Sequence, residues 1–376
     1  MFYKRSYENL ENYIKSGQVL VIYGSRQVGK TTLINNFLKR TRLKYKLDNG
    51  DNILTRQIFE SDNFGQLTEY VSGYDLLVID EAQRIPNIGF GLKILVDQVP
   101  NLKIIVTGSS SFELSGQIGE PLTGRKRTLT MYPLSQLELQ SEFNAFELKA
   151  NLDQYLIYGS YPKVVTEKTN VEKTLVIQEI TNSYLLKDVL ELDKIKNSKV
   201  LLDLLKMLAF QIGSEVSINE LATKVKLDVK TVAKYLDVLE KSFVIYNLRG
   251  FSKNLRNEIT KKSKYYFYDL GIRNTIISNY NDLETRNDIG GLWENFIVIE
   301  RLKKQEYTPI FCNNYFWRTW DGAEVDWIEE REGKIFGYEF KNTKNKQVIN
   351  PKFLQTYPEA VTEIIDRSNY LEWVGR

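Results

Sequence analysis

At 376 residues, with 42% hydrophobic and 26% charged side chains, the chain has the composition of a soluble globular protein and is too long for one ordinary core, so two or three domains are expected. A formal charge of +3 gives no global basic field, and any nucleic-acid contact must come from local patches. Histidine is absent and Cys312 is the single cysteine, which excludes Ser-His-Asp and Cys-His nucleophiles, His-based nucleases, ordinary zinc sites and internal disulfides. Catalysis is left to carboxylates, lysines, arginines, hydroxyls and bound metal. Met1-Phe2-Tyr3-Lys4-Arg5 carries charge without a following apolar core, and no apolar run approaches a membrane span; a cytoplasmic location without membrane contact is expected.

In chain order, a lead-in helix is predicted over about Tyr7 to Lys15, then a buried strand at Val19-Leu20-Val21-Ile22-Tyr23. Gly24-Ser25-Arg26-Gln27-Val28-Gly29-Lys30-Thr31 follows, a complete G-x-x-x-x-G-K-[S/T] phosphate loop, with Thr32 beside it and Leu33, Ile34, Phe37 and Leu38 on one helical face. In such a loop, backbone N–H groups turn around polyphosphate, Lys30 reaches the β- and γ-phosphates, and the Thr31 hydroxyl is a ligand for Mg²⁺. The positive end of the following helix adds to the attraction. ATP and Mg²⁺ are therefore the expected ligands. Lys44 to Asp48 reads as a second strand, followed by polar helical sequence to about Tyr70. Leu76-Leu77-Val78-Ile79 then delivers Asp80 and Glu81 to the carboxyl edge of a sheet. Asp80 is expected to hold Mg²⁺ opposite Thr31, and Glu81 to polarise the attacking water. The strand Lys103 to Thr107 runs into Gly108-Ser109-Ser110-Ser111, where Thr107 or Ser109 either senses phosphate and orients water or caps the next helix; both readings stand.

These residues, with Thr107-Gly108-Ser109-Ser110, Leu122-Thr123-Gly124-Arg125 and Tyr132-Pro133-Leu134-Ser135, resemble the AAA+ ATPases, and within them a prokaryotic ATP-binding branch. The resemblance implies an arginine that completes a neighbouring subunit's site, and hence a homo-oligomer. Arg125 and Arg127 are the candidates by position, Arg26 and Arg84 compete, and a plain strand-flanking charge is the alternative. Tyr158-Gly159-Ser160-Tyr161-Pro162 is a turn that matches the family's landmark for the end of the ATPase core.

A long helix is predicted from Val171 to Asp193, another apolar-periodic segment from Val200 to Phe210, and a capping box at Ser217-Ile218-Asn219-Glu220 opening a helix through Val225. Asp228 precedes an amphipathic stripe at Val229, Val232, Ala233, Leu236 and Leu239, and Phe243 to Tyr246 closes the segment as a strand. This order resembles a winged helix. The outward set Lys230, Thr231, Lys234, Asp237 and Glu240 is mixed in charge, which suits a spacer or docking module as well as a groove reader. Lys253, Arg256, Lys261, Lys262 and Lys264, interleaved with Phe251 and Tyr265, form either a patch for phosphate backbone or a solvated linker.

Gly291-Leu292-Trp293-Glu294-Asn295 heads a helix, and strands are predicted at Tyr315 to Arg318, Ala323 to Ile328 and Ile335 to Lys341. Glu339 and Lys341 share a strand face. If the last two strands are neighbours, Asp326 and Glu339 come together with Lys341 beside them, and with Glu294 they form a Mg²⁺ site able to activate water against a phosphodiester, a site that binds metal or nucleic acid without turnover, or a structural cluster; all three readings stand. The pattern resembles the PD-(D/E)xK nuclease-like fold and the C-terminal module of unassigned function in this ATPase branch. The expected architecture is α/β throughout: a P-loop AAA+-type parallel-sheet domain at 1–165, a helical and winged-helix-like module at 166–252, and a restriction-endonuclease-like domain at 253–376. Three functions stay open: ATP hydrolysis driving a domain rearrangement in a DNA-related process, a nucleotide-controlled switch for a protein partner, and an ATP-gated DNA nuclease.

Overall fold

A computed structural model describes residues 3–61, 63–108, 121–183, 198–252, 263–319, 321–343 and 349–375. The chain forms two compact units, one of Arg5–Tyr132 with Lys241–Phe243, the other of Met1–Lys4, Pro133–Glu240 and Val244–Arg376.

The first unit is built on five strands, β1 (Val19–Tyr23), β2 (Tyr45–Asn49), β3 (Leu76–Asp80), β4 (Lys103–Gly108) and β5 (Lys126–Thr130). They pair in parallel in the order β2-β3-β4-β1-β5. Every residue of β1 and β3 is buried, as an interior parallel strand covered on both faces requires, whereas edge strands β2 and β5 keep exposed positions. Helix α1 (Lys30–Leu38) follows the phosphate loop and buries Leu33, Ile34, Phe37 and Leu38, the face read from the sequence. The expected lead-in helix is only a short 3₁₀ turn at Leu10–Asn12. Asn9 makes no side-chain cap there, and Tyr7, Leu10 and Ile14 are each buried, so separate anchoring replaces a continuous helix.

The second unit contains α2 (Ser198–Phe210), β6 (Glu215–Val216), α3 (Ile218–Val225), α4 (Val229–Lys241), β7 (Ile245–Gly250), β8 (Ser263–Phe267), α5 (Leu270–Ile276), α6 (Ile289–Tyr307), β9 (Asn313–Arg318), β10 (Glu324–Arg331), β11 (Lys334–Lys341) and β12 (Val361–Asp366). Its sheet runs β12-β11-β10-β9-β7-β8-β6, antiparallel except for the β7/β9 and β11/β12 pairs. Before α2, a helix at Asn170–Thr181 starts from a Thr169/Glu172 capping box; the helix expected to Asp193 passes at residue 184 outside the described residues.

This division differs from the three-part expectation. The compact unit that holds the phosphate loop runs from Arg5 to Tyr132, whereas the expectation drew its limit at 165. The expected limit between 252 and 253 crosses the antiparallel β7/β8 pair, and β7 also pairs with β9, so the middle and C-terminal parts share one sheet. The Tyr158 to Pro162 turn is a buried joint within this unit. Ser160 N–H donates to Asp269 Oδ2 at 2.7 Å, and Gly271 N–H to Asp269 Oδ1 at 2.9 Å. Burial raises the Asp269 carboxyl to about 6. Lys303 closes the joint by pairing with Glu300 at 2.7 Å while donating to Leu134 O. Among the described residues, no helix is long and apolar enough to cross a membrane.

Candidate nucleotide site and a second carboxylate cluster

The phosphate loop leaves the end of β1 between β4 and β5. Gly24 has φ +151°, and a Cβ there would lie 2.1 Å from the Met131 carbonyl, so only glycine lets the loop pass the residue after β5. Lys30 is buried and folds back on the loop, its Nζ donating to Gly24 O at 2.7 Å and Ser25 O at 2.8 Å. The ammonium thus stands inside the turn that the motif uses for phosphate. Gln27 and Gly29 both have positive φ, which bends the backbone between Arg26 and Val28 into its tight path, and Thr32 is exposed on the first turn of α1. A residue that sequence reading missed supports the loop from behind. Arg5, 6% exposed, donates from Nη1 to Val28 O and from Nη2 to Tyr132 O at 2.7 Å. Nothing local signals this contact across twenty-three residues.

The acidic strand end meets the loop directly. Thr31 Oγ1 donates to Asp80 Oδ2 at 2.7 Å, and the buried Thr107 hydroxyl donates to Asp80 Oδ1. Thr107 in turn accepts the Glu81 N–H at 3.1 Å. Thr107 is therefore tied to Asp80 rather than standing free, and Ser109, its alternative, lies outside the described residues. Glu81 turns the chain with φ +53°. Gly50 makes room for that turn, since a Cβ on it would lie 2.2 Å from Glu81 O. Gln83, another residue that the motif reading passed over, donates from Nε2 to Glu81 Oε2 at 2.6 Å. Hydroxyl and carboxylate oxygens are the hard donors that suit Mg²⁺, and two protein ligands leave the remaining positions to water and phosphate.

The two arginines that are candidates by position lie elsewhere. Arg125 pairs with Asp97 at 2.8 Å, while the Arg127 guanidinium lies 4.6 Å over the Tyr13 ring and donates to Asn12 O at 3.4 Å. Both flank the start of β5, where Lys126 pairs with Val19, whereas the loop leaves the other end of the sheet at Tyr23. Neither serves the loop of its own chain. Arg84 lies 3.9 Å from Asp51.

In the second unit, the sequence-predicted carboxylates do gather, but around a lysine. Lys264, 1% exposed on β8, places Nζ 2.9 Å from Glu294 Oε1 on α6, 2.5 Å from Glu324 Oε1 and 4.0 Å from Asp326 Oδ1 on β10. Tyr266 donates to Glu294 at 2.6 Å. Strand β11 contributes Glu339, paired with Lys341 at 2.9 Å, and the Phe340 N–H donates to Asp326 Oδ2 at 2.8 Å. The β10/β11 register, Trp327 opposite Tyr338, makes Asp326 and Glu339 the next facing pair, as the strand reading expected. Burial pulls the Lys264 pKa down, but Glu294, Asp326 and Glu324 more than reverse this and hold it above its ordinary value. Burial and the nearby Glu294 carboxylate push Asp326 well up. Burial also raises Glu339.

Lys264 thus corrects one expectation: it is no member of an exposed phosphate-binding patch. Lys253, Arg256, Lys261 and Lys262, the rest of that patch, lie outside the described residues. Glu324 is a cluster member that the four-residue pattern omitted, although its spacing of two from Asp326 already put it on the same strand face.

With this geometry in place, the chain can be set beside known proteins. Residues 16–140 match the model of an AAA domain, residues 149–283 a Domain of unknown function (DUF8612), and residues 289–367 a Domain of unknown function (DUF4143). An uncharacterized protein of Mycobacterium tuberculosis is 26% identical over 343 residues, covering 90% of this chain and 74% of that protein. One from Haemophilus influenzae is 24% identical over 342 residues, covering 84% and 80%. One from Methanocaldococcus jannaschii is 23% identical over 380 residues, covering 95% and 81%. Among solved structures, a Walker-type ATPase of Pyrococcus abyssi aligns over 73% of this chain and 96% of its own, at 18% identity and a TM-score of 0.48. The AAA-domain match, over the segment that holds the phosphate loop and the acidic strand end, supports ATP binding and hydrolysis by this part of the chain.

Proposed function

We propose that the Arg5–Tyr132 unit hydrolyses ATP with Mg²⁺ and that turnover drives a rearrangement of the rest of the chain in a DNA-related process. The observation that carries the ATPase reading is the hydrogen-bonded series Thr31–Asp80–Thr107, which joins the phosphate loop to two strand ends. Thr31 and Asp80 would hold the cation, which would supply charge neutralisation for the departing phosphate. Lys30 binds the β- and γ-phosphates once its bonds to the loop carbonyls exchange for phosphate oxygens. Glu81 takes the proton of the attacking water, its backbone fixed by Thr107 and its carboxylate held by Gln83. Arg125 or Arg127 acts on a neighbouring copy, because both stand at the far end of their own sheet.

The DNA-related part is supported by chain order. The series α2-β6-α3-α4-β7-β8, with β8 between β7 and β6, resembles a winged helix, and α6-β9-β10-β11 followed by Pro351–Thr356 and β12 resembles a nuclease-like fold.

ATPase rates of wild type and Lys30→Ala, each with and without duplex DNA, test the whole reading. Lys30→Ala is expected to lose about 10²–10³-fold in rate, as for removal of one charge-stabilising group; retained activity sinks the motor. Absence of both DNA stimulation and DNA binding at low salt favours the protein-partner switch instead. For the oligomer, Arg125→Ala/Arg127→Ala mixed with Lys30→Ala should recover activity that neither has alone, and a mixture as inactive as its parts removes the trans role.

A further inference from the structure

The nuclease-like resemblance implies a divalent cation among Glu294, Asp326, Glu339 and Lys341, and the residues present do not fit one. We propose that the Lys264 ammonium permanently occupies the cation position of this cluster, so that the site takes no divalent metal and instead serves as an ion-pair joint locking β8 to α6 and β10.

Each carboxylate already has a donor. Glu294 receives Lys264 and the Tyr266 hydroxyl. Glu324 lies between Lys264 and Arg318, the latter at 3.8 Å. Asp326 accepts the Phe340 N–H, and Glu339 pairs with Lys341. A magnesium ion needs near-octahedral oxygen ligands at about 2.0–2.1 Å. Here the point facing Glu294, Glu324 and Asp326 together is filled by a buried ammonium whose charge repels a second cation. Among the described residues, no three Asp, Glu or Cys side chains are arranged to hold a metal ion. The lysine is not a loose surface side chain that swings aside, for it is 1% exposed and its backbone is paired on both sides, with Glu215 of β6 and Leu248 of β7.

The three elements so joined all fall in the part expected at 253–376, and β8 in turn ties them to β7 and β6 of the preceding segment. Strand β8 pairs with β7 and β6 on one side of the unit, while α6 and β10 belong to the αβββαβ part. Any movement that separates them must break three ion contacts at one nitrogen.

Mn²⁺ binding to the nucleotide-free full chain, followed by electron paramagnetic resonance, tests the proposal. Wild type and Asp326→Asn should bind the same number of ions, since whatever the phosphate-loop carboxylates take is common to both. Lys264→Ala should gain one Mn²⁺, and Lys264→Ala/Asp326→Asn should lose it again. A wild-type ion that disappears in Asp326→Asn overturns the proposal, as does a folded Lys264→Ala, by circular dichroism, that gains none. Should Lys264→Ala not fold, the wild type against Asp326→Asn comparison decides alone. Plasmid cleavage by the wild type with Mg²⁺, abolished in Asp326→Asn, would also overturn it.

Discussion

The two acidic clusters of this protein are assembled from the same elements, a strand end or strand face with a carboxylate pair and a lysine nearby, yet they are built for opposite tasks. At Asp80 the neighbours are the hydroxyls of Thr31 and Thr107, neutral groups that hold the carboxylate in place without cancelling its charge. Lys30 points away, into carbonyls of its own loop. At Asp326 the neighbours are ammonium groups, and Lys264 sits among the carboxylates themselves. A carboxylate oriented by hydroxyls stays available to a cation; one saturated by a buried lysine becomes part of the framework. The ligand inventory alone does not separate the two cases; the charge on the orienting group does.

Substitutions at the two clusters should therefore fail in different ways. At the first, loss falls on turnover: Glu81→Gln is expected to keep ATP binding while lowering the hydrolysis rate by about 10²-fold or more, within the range for loss of a general base. Loss of ATP binding instead would make Glu81 structural and blur the contrast. At the second, loss falls on stability: Lys264→Met, which leaves the facing carboxylates without their ammonium, should reduce unfolding free energy by about 3 kcal/mol in urea titration while leaving ATP affinity unchanged. An unchanged denaturation midpoint would remove the joint. A smaller effect is expected from Gly50→Ala, whose Cβ would press on Glu81 O at 2.2 Å and displace the turn that carries the proposed base. Hydrolysis should fall about tenfold, as misplacement costs of this kind range to 10²-fold, with ATP affinity kept.

The smallest effect is a pH-dependent one that shows a third way of treating a carboxylate. Asp288 receives Arg273 at 2.5 Å and Arg286 at 2.7 Å. Burial opposes ionisation, but the two guanidinium groups outweigh it and hold Asp288 at about 2, below its ordinary 3.8. A depressed carboxyl pKa contributes stability that is full above about pH 4 and is lost as pH falls through about 2. The stability difference between wild type and Asp288→Asn should accordingly shrink between those limits; a constant difference would show that the arginines act without the charge.

What was legible in the sequence was local or periodic. Strands β1, β3 and β4 are short apolar runs, the α1 stripe recurs at helical spacing, and the phosphate loop is contiguous, so each could be placed without knowing its neighbours. The facing of Asp326 and Glu339 followed from strand alternation once pairing was assumed. Arg5 on Val28, Gln83 on Glu81 and Lys264 among Glu294, Glu324 and Asp326 had no such signal. Lys264 is the clearest case, because it follows Lys261 and Lys262 closely in sequence while its spatial neighbours are carboxylates. By itself, then, the sequence determined that a phosphate-loop motif is followed by an acidic strand end, and which residues could form a carboxylate cluster. Only the tertiary structure decided that the cluster is closed, since the charge that closes it arrives through pairing of β8 with the rest of the sheet, and sheet partners are chosen by long-range packing that no local pattern encodes.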